Sequence, residues 1–305
     1  MIVKKENALV WKFGNETLMI EPWLENSFRV RSTKYPHFNN ENNALENIVS
    51  SSPDEISISE DGTGEIKNGK IKATVDIRGK VTFTNQKGEI LLEEYQRVRN
   101  DAFEEGIVAE KLELFNSALN IKSREFKPII GGDYALTVRF EANKIEKIFG
   151  MGQYQQDFLD LKNCRLELAH RNSQASVPFA LSNKGYGFLW NNPAIGEVTF
   201  GKNLTEWKSY STKEIDYWIT AGDNPAEIEE KYADATGKVP MMPEYGMGFW
   251  QSKLRYQTQE ELLEAAREYK RRGLPIDVIV CDYYHWPLAV IINLILIIGQ
   301  IQKRW

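Results

Sequence analysis

The hydrophobic period of this chain changes once, and that change asks for two kinds of architecture in one sequence. From Leu9 to about Ile219, apolar and polar residues alternate in short runs broken by turn chemistry, the pattern of half-buried antiparallel strands. Ile71-Lys-Ala-Thr-Val-Asp-Ile77 and Tyr134-Ala-Leu-Thr-Val-Arg-Phe140 show it most cleanly. Asp61-Gly62, Asn68-Gly69, Lys87-Gly88 and Asn183-Lys-Gly185 supply residues that tolerate positive φ between strands. Residues 39–61, rich in Asn, Ser and Glu, read as a long loop. Residues 1–222 are therefore expected to form an antiparallel β-sandwich.

A helix closes that region. Asp223 or Asn224 can cap it, Pro225 suits its first turn, Ile228, Tyr232 and Ala235 fall at helical spacing, and Gly237 can end it. Pro240-Met-Met-Pro243 follows as a stiff linker, so residues 223–243 read as helix and linker. Beyond it the pattern becomes strand, helix, strand. A strand is expected near residues 246–250, a helix over 259–272 and a strand over 276–281. The helix opens on the capping box Thr258-Gln-Glu-Glu261, buries Leu262, Ala266 and Tyr269 on one face, and ends at Gly273. Ile276, Val278, Ile279 and Val280 make the near-continuous apolar run of a parallel strand covered on both faces. A crossover this tight is right-handed and belongs to an α/β layer or barrel. In such barrels, functional groups sit at the carboxyl ends of strands, which singles out Asp282 and the aromatic cluster after it.

Composition narrows the partners. With 305 residues, 42% of them apolar, the chain can bury a large core and exceeds the usual size of one domain. An aromatic content of 11%, with eight Trp, suggests aromatic surfaces for a ligand such as a sugar ring in addition to a core. A formal net charge of −5 with no basic run argues against nucleic acid and anionic membrane, and a neutral substrate suits it better. Cys164 and Cys281 are far apart and in no metal-like spacing, so neither a disulfide framework nor a zinc site is indicated. With no apolar signal region after Met1, the expected location is the cytoplasm. The apolar stretch at residues 288–298 is shorter than the roughly 18 to 20 residues a membrane span needs. Gly150 and Gly152 lack the further glycine and helix of a nucleotide loop and read as turn glycines. His37 and His170 have no nucleophile or metal partner in the sequence and read as ordinary surface or core histidines.

Several separate motifs together resemble glycoside hydrolase family 31. Phe149-Gly-Met-Gly-Gln-Tyr154, Arg171-Asn-Ser-Gln-Ala-Ser-Val-Pro-Phe179 and Gly185-Tyr-Gly-Phe-Leu-Trp-Asn-Asn-Pro193 resemble the family's N-terminal domain in order and spacing. Phe249-Trp-Gln-Ser-Lys-Leu-Arg-Tyr256 and the strand ending at Asp282 resemble the opening of its catalytic barrel. The resemblance implies a galactose mutarotase-like β-sandwich followed by the first βαβ unit of an incomplete (β/α)8 TIM barrel, over residues 244–288. It also implies retaining hydrolysis of an α-linked xylose or glucose, with no cofactor or metal. That chemistry needs a carboxylate nucleophile and a protonated carboxyl acid about 5 to 5.5 Å apart on either side of the anomeric carbon. In the family both are Asp residues on later barrel strands. Neither has a counterpart in this sequence, so the chain by itself is expected to be inactive.

What the resemblance does place here is a set of sugar contacts. Asp282 resembles the family Asp that accepts hydrogen bonds from the hydroxyls of the sugar at the cleavage point; apart from the family it reads as a turn or cap Asp. Tyr283, Tyr284, His285 and Trp286 can stack on sugar faces or pack under a barrel loop. Arg255 and Tyr256 follow the first barrel strand, where the family faces substrate, with a solvated Arg beside a packed Tyr as the plainer reading. Arg171 and Asn172 lie where a sandwich loop reaches over the barrel mouth in the family. The implied partner is an α-linked oligosaccharide, and a homo-oligomer is possible for the intact enzyme. A carbohydrate-binding sandwich without catalysis is the alternative; a sugar epimerase needs a paired acid and base such as His with Glu, which the sequence does not offer.

Residues 289–305 break the pattern. Ala289-Val-Ile-Ile-Asn-Leu-Ile-Leu-Ile-Ile298 has neither helical amphipathicity nor the polar loop expected after a barrel strand. It reads as translation out of frame after loss of a single base, with a short membrane tail as the rival reading. Sequencing the locus from the Leu288 codon onward is expected to find a barrel continuation in another frame, and DNA without one overturns this origin for the segment.

Overall fold

The alternating region becomes three antiparallel sheets in the computed structural model, which describes residues 1–47, 52–97 and 120–282. The largest runs in the order Ile2–Lys5, Ala8–Phe13, Glu16–Pro22, Ser27–Thr33, Glu214–Ala221, Tyr186–Trp190, Ala175–Ser182, Ile148–Gln153. A second sheet orders Arg124–Pro128, Tyr134–Glu141, Leu204–Thr212, Gly196–Phe200 and Arg165–Leu168, and a third runs in sequence order from Glu55–Ile58 to Ile90–Glu93. A bridge between Glu94 and Phe140 joins these two smaller sheets. All three contribute to one core, with Leu18, Phe28 and Tyr217 from the first, Val138 and Trp207 from the second, and Ile66 and Phe83 from the third. The chain thus forms the expected β-sandwich.

Period two is what assigns side chains to that core. In Ile71–Val75, residues 71, 73 and 75 are buried and 72 and 74 are not, and in Tyr134–Glu141 the buried set is Leu136, Val138 and Phe140. Glu214–Ala221 departs from alternation because it is buried at every position. Its inner face meets the sandwich core through Ile215, Tyr217 and Ile219, and Trp218 on the other face joins a second cluster with Trp23, Phe179, Ile228 and Ala235. The last two belong to the helix Pro225–Thr236, which Asn224 caps by accepting the Glu227 N–H at 3.0 Å. Tyr232 of this helix stacks on Phe179 with ring centroids 4.0 Å apart. The helix is therefore part of a compact unit that runs from Met1 to Lys238.

Three readings of the sequence need correction in this unit. Within the expected loop at residues 39–61 the structure places the strand Glu55–Ile58, whose alternating isoleucines pair with Gly64–Asn68. Gly150 and Gly152 are bulge residues within the strand Ile148–Gln153, with φ of 94° and 90°, where the register against Ala175–Ser182 shifts. A Cβ on Gly150 would stand 2.7 Å from the Phe179 carbonyl oxygen, so both the conformation and the close strand approach require glycine. Finally, Trp11, Trp23, Trp190, Trp207 and Trp218 are all at most 8% exposed. The sandwich uses these five tryptophans chiefly to fill its cores.

A buried ion pair crosses the large sheet. Arg29 donates to both carboxylate oxygens of Asp216, at 3.1 Å from Nε and 2.7 Å from Nη2, and each side chain is 2% exposed. The remaining guanidinium donors reach Asn42 Oδ1 at 2.7 Å and the Glu41 carbonyl at 2.9 Å, and Asn191 Nδ2 donates to Asp216 at 2.8 Å.

The second unit begins at Val239. The strand expected near residues 246–250 is shorter than its pattern, because Glu244–Met247 folds as a 3-10 turn closed by the Gly246 N–H on the Pro243 carbonyl at 2.9 Å. Extended pairing is confined to Trp250–Gln251, which runs parallel to Val278–Ile279. Between them lies the helix Gln259–Arg271, with Leu262 buried, Ala266 and Tyr269 partly covered, and Gly273 beyond its end at φ 65°. Met241, Met247, Trp250 and Leu254 are exposed, apolar surface of the kind an open strand pair leaves uncovered. No helix among the described residues is long and apolar enough to cross a membrane.

Removing one partner of the buried pair strands the other charge. Asp216→Ala is expected to destabilise the first unit by about 3 to 5 kcal/mol in urea unfolding. Asp223→Ala, which removes an exposed partner of Lys70, is expected to leave the midpoint nearly unchanged.

Candidate functional site

Parallel pairing decides which residues share an end of the second unit. Trp250 is in register with Val278 and Gln251 with Ile279, and the Val280 N–H donates to the Gln251 carbonyl at 2.9 Å. At the amino ends, Asp277 Oδ2 accepts the Phe249 N–H at 2.8 Å, and the Asp277 and Val278 amides both reach the Phe249 carbonyl. With the register locked there, the two carboxyl ends emerge on the same edge. One leads into residues 252–257, which carry Arg255 and Tyr256; the other leads through Cys281 to Asp282. Three predicted site residues are thereby assigned to one edge of one sheet. His285 and Trp286, with Tyr283 and Tyr284, lie outside the described residues, as does the segment 289–305.

The loop after the first strand is held from both sides. Tyr256 is 8% exposed, and its phenolic oxygen accepts from Gln251 Nε2 at 3.1 Å. Gln251 Oε1 in turn accepts from the Tyr269 hydroxyl of the helix at 2.6 Å. Lys253 lies over the Tyr256 ring, 5.6 Å from its centroid, and pairs with Glu261 at 2.6 Å. The second carboxylate oxygen of Glu261 accepts the Gln257 N–H at 2.8 Å. Thr258 Oγ accepts the Glu261 N–H at 3.2 Å as the capping-box pattern demands, but the returning carboxylate engages Gln257 in place of Thr258. The hydrogen bond from Lys253, helped by that from the Gln257 amide, holds the Glu261 carboxyl below its ordinary range. Sequence reasoning found the cap; it had no signal for Gln251 as the link between the two tyrosines.

Arg171 and Asn172 belong to the first unit, in the exposed turn before Ala175–Ser182. Arg171 and Gln174 exchange backbone hydrogen bonds, and the guanidinium forks onto the Glu167 carboxylate at 2.5 and 2.9 Å. That hydrogen bond holds Glu167 below the usual carboxylate range. A cleft of about 450 Å³ lies beside this turn, lined by His170, Pro178, Trp190 and residues 191–195 among others. His170 Nδ1 accepts the Ser176 N–H at 3.3 Å, while His37 is exposed. Among the described residues no group of three or more His, Cys, Asp or Glu side chains is arranged to hold a metal ion.

Comparison with known proteins matches both units. The Glycosyl hydrolase 31 N-terminal galactose mutarotase-like domain matches residues 17–198, and the Glycosyl hydrolases family 31 TIM-barrel domain matches residues 239–293. An uncharacterized family 31 glucosidase of Pseudescherichia vulneris is 51% identical over 289 residues, covering 94% of this chain and 54% of its own length. An alpha-xylosidase of Saccharolobus solfataricus is 33% identical over 162 residues, covering 50% of this chain and 22% of its own. Among solved structures, a GH31 alpha-xylosidase from a soil metagenome, complexed with xylose, superimposes with a TM-score of 0.86 at 49% identity. That match covers all of this chain and 44% of the other. The chain thus spans about half the length of the most extensively matched of these relatives, and less of the others.

Because Glu261 is more acidic in the folded chain than its unfolded value of about 4.3, its pins on the loop are present above that value and are lost as pH falls through the lower, folded one. Hydrogen exchange at the Gln257 amide, corrected for its intrinsic rate, reads this directly. Protection is expected to fall between pH 5 and pH 3, and Glu261→Ala is expected to cut it about tenfold at pH 6.

Proposed function

The chain belongs to glycosyl hydrolase family 31, and we propose that it carries the sugar-orienting part of a retaining enzyme that removes terminal α-linked xylose, or less readily glucose, from oligosaccharides. The observation that carries this reading is the parallel register that brings Arg255, Tyr256 and Asp282 to one carboxyl-end edge. An ionised Asp282 accepts hydrogen bonds from two adjacent sugar hydroxyls, which fixes the ring's orientation and adds charge-assisted affinity. Arg255 and Tyr256 add donors from the neighbouring loop. His285 and Trp286, which follow Asp282 in the sequence, are further proposed sugar contacts, and Arg171 and Asn172 are proposed ones within the first unit.

Orientation is only half of the chemistry. The nucleophile and the acid/base have to flank the anomeric carbon about 5 to 5.5 Å apart, and in the intact enzyme they come from later barrel strands. The preference for xylose is supported by the relatives that act on it or hold it. Xylose and glucose differ by one hydroxymethyl group, which a closely packed pocket discriminates by roughly 10- to 200-fold.

Turnover separates these statements. The 305-residue chain is expected to show no hydrolysis of 4-nitrophenyl α-xyloside or α-glucoside above buffer. A chain continued through the whole barrel is expected to hydrolyse the xyloside with retention, and to lose about 100-fold or more in kcat/KM with Asp282→Asn, the equivalent of two charge-assisted hydrogen bonds. Hydrolysis by the 305-residue chain that Asp282→Ala abolishes would falsify this division of labour.

A further inference from the structure

We propose that Gln251 is a positioning residue that fixes the direction of a hydrogen-bond relay, so that Tyr256 presents its phenolic proton to a sugar hydroxyl. The inference rests on the proposed sugar site for its last step and on this structure alone for the others.

The direction follows from what each group can do. Gln251 Nε2 stands 3.1 Å from the Ser252 carbonyl oxygen, which can only accept. That contact fixes the amide's orientation, because the flipped amide would set two acceptors against each other. Oε1 therefore faces Tyr269, whose hydroxyl at 2.6 Å has to be the donor. Nε2 has a second hydrogen, and it reaches the Tyr256 oxygen at 3.1 Å. The Tyr256 oxygen is thus engaged as an acceptor, and its own proton is directed elsewhere. A chain of Tyr269 to Gln251 to Tyr256 points one way, and its open end is a donor.

The surrounding contacts hold that donor still. Phe249 packs against the Tyr269 ring with centroids 5.6 Å apart, which fixes the start of the relay, and Lys253 covers the Tyr256 ring at its end. Ordering these side chains before the sugar arrives spares binding part of the cost of fixing rotamers. A lone phenol on the loop would rotate its hydroxyl freely; here the amide supplies the preference. Gln251 touches no substrate in this scheme and acts only through Tyr256.

The test places a single 3-fluorotyrosine at position 256 of the full 305-residue chain and reads its fluorine resonance. Gln251→Leu and Tyr269→Phe are each expected to move it toward its position in the urea-unfolded chain, while Arg267→Gln on the exposed helix face leaves it in place. Gln251→Glu keeps the shape but has no donor, so it is expected to draw the Tyr256 proton inward and to give a third position. Should Gln251→Leu fail to fold, Tyr269→Phe, which removes one oxygen, decides the matter. D-xylose is then titrated into the unsubstituted chain, where it is expected to shift the resonance, and to need about tenfold more sugar in Gln251→Leu. A resonance indifferent to Gln251→Glu and Tyr269→Phe overturns the relay. One that answers to both variants but not to xylose leaves the relay standing and overturns its use on a sugar.

Discussion

The first unit is held by a pairing between its early and late strands. Ser27–Thr33 and Glu214–Ala221 lie side by side in the middle of the eight-stranded sheet, although Arg29 and Asp216 are 187 residues apart in sequence. Until they meet, neither half of that sheet has its central partner, and the smaller sheets have no complete surface to pack on. The ion pair between them is buried, so it is tolerable only because every group around it is satisfied. Asn42, the Glu41 carbonyl and Asn191 supply what the two charges do not supply each other. The same network ties down residues 41–44, with the Ala44 amide on Asn191 Oδ1. A charge pair that contributes little net stability still specifies one register, since a slipped strand would bury both charges unpaired.

The second unit uses a different device. Two short parallel strands carry few backbone hydrogen bonds, and their register is set by a side chain, Asp277, that grips the amide of Phe249. What happens at the opposite edge depends on that grip, because a parallel pair delivers both carboxyl ends to one side. The helix between the strands then contributes Glu261 and Tyr269, which hold the loop from Ser252 to Gln257 through Lys253, the Gln257 amide and Gln251. Structural and functional groups are thus separated by one shell. Asp282, Arg255 and Tyr256 are the proposed sugar contacts, and Gln251 and Glu261 hold the loop that carries the last two.

Much of this was legible in the amino-acid order. The period of two in Ile71–Val75 and Tyr134–Glu141, the glycine-bearing turns, the Asn224 and Thr258 caps and the switch to strand-helix-strand are local properties, and each is written within a few neighbouring residues. The ranking of Asp282, Arg255 and Tyr256 as site residues came from their place after strands and from the family resemblance. Other features were not legible, for a common reason. The bulge at Gly150 and Gly152 depends on how closely the Ala175–Ser182 strand approaches. The strand Glu55–Ile58, too short for its alternating isoleucines to stand out from the Asn-, Ser- and Glu-rich residues around it, is fixed by its pairing with Gly64–Asn68. The five tryptophans of the first unit are buried because the sandwich has two apolar clusters on either side of Glu214–Ala221.

What the sequence by itself determined is the kind of element each segment forms and which residue types stand at the ends of strands, since backbone propensity, capping and hydrophobic period act over a few residues. What only the tertiary structure decided is who meets whom. The Arg29–Asp216 pair and the amide of Gln251 between Tyr256 and Tyr269 are fixed by directional hydrogen bonds that no local pattern encodes. Those bonds have value only at particular distances and angles, and the packing of whole sheets and helices sets these.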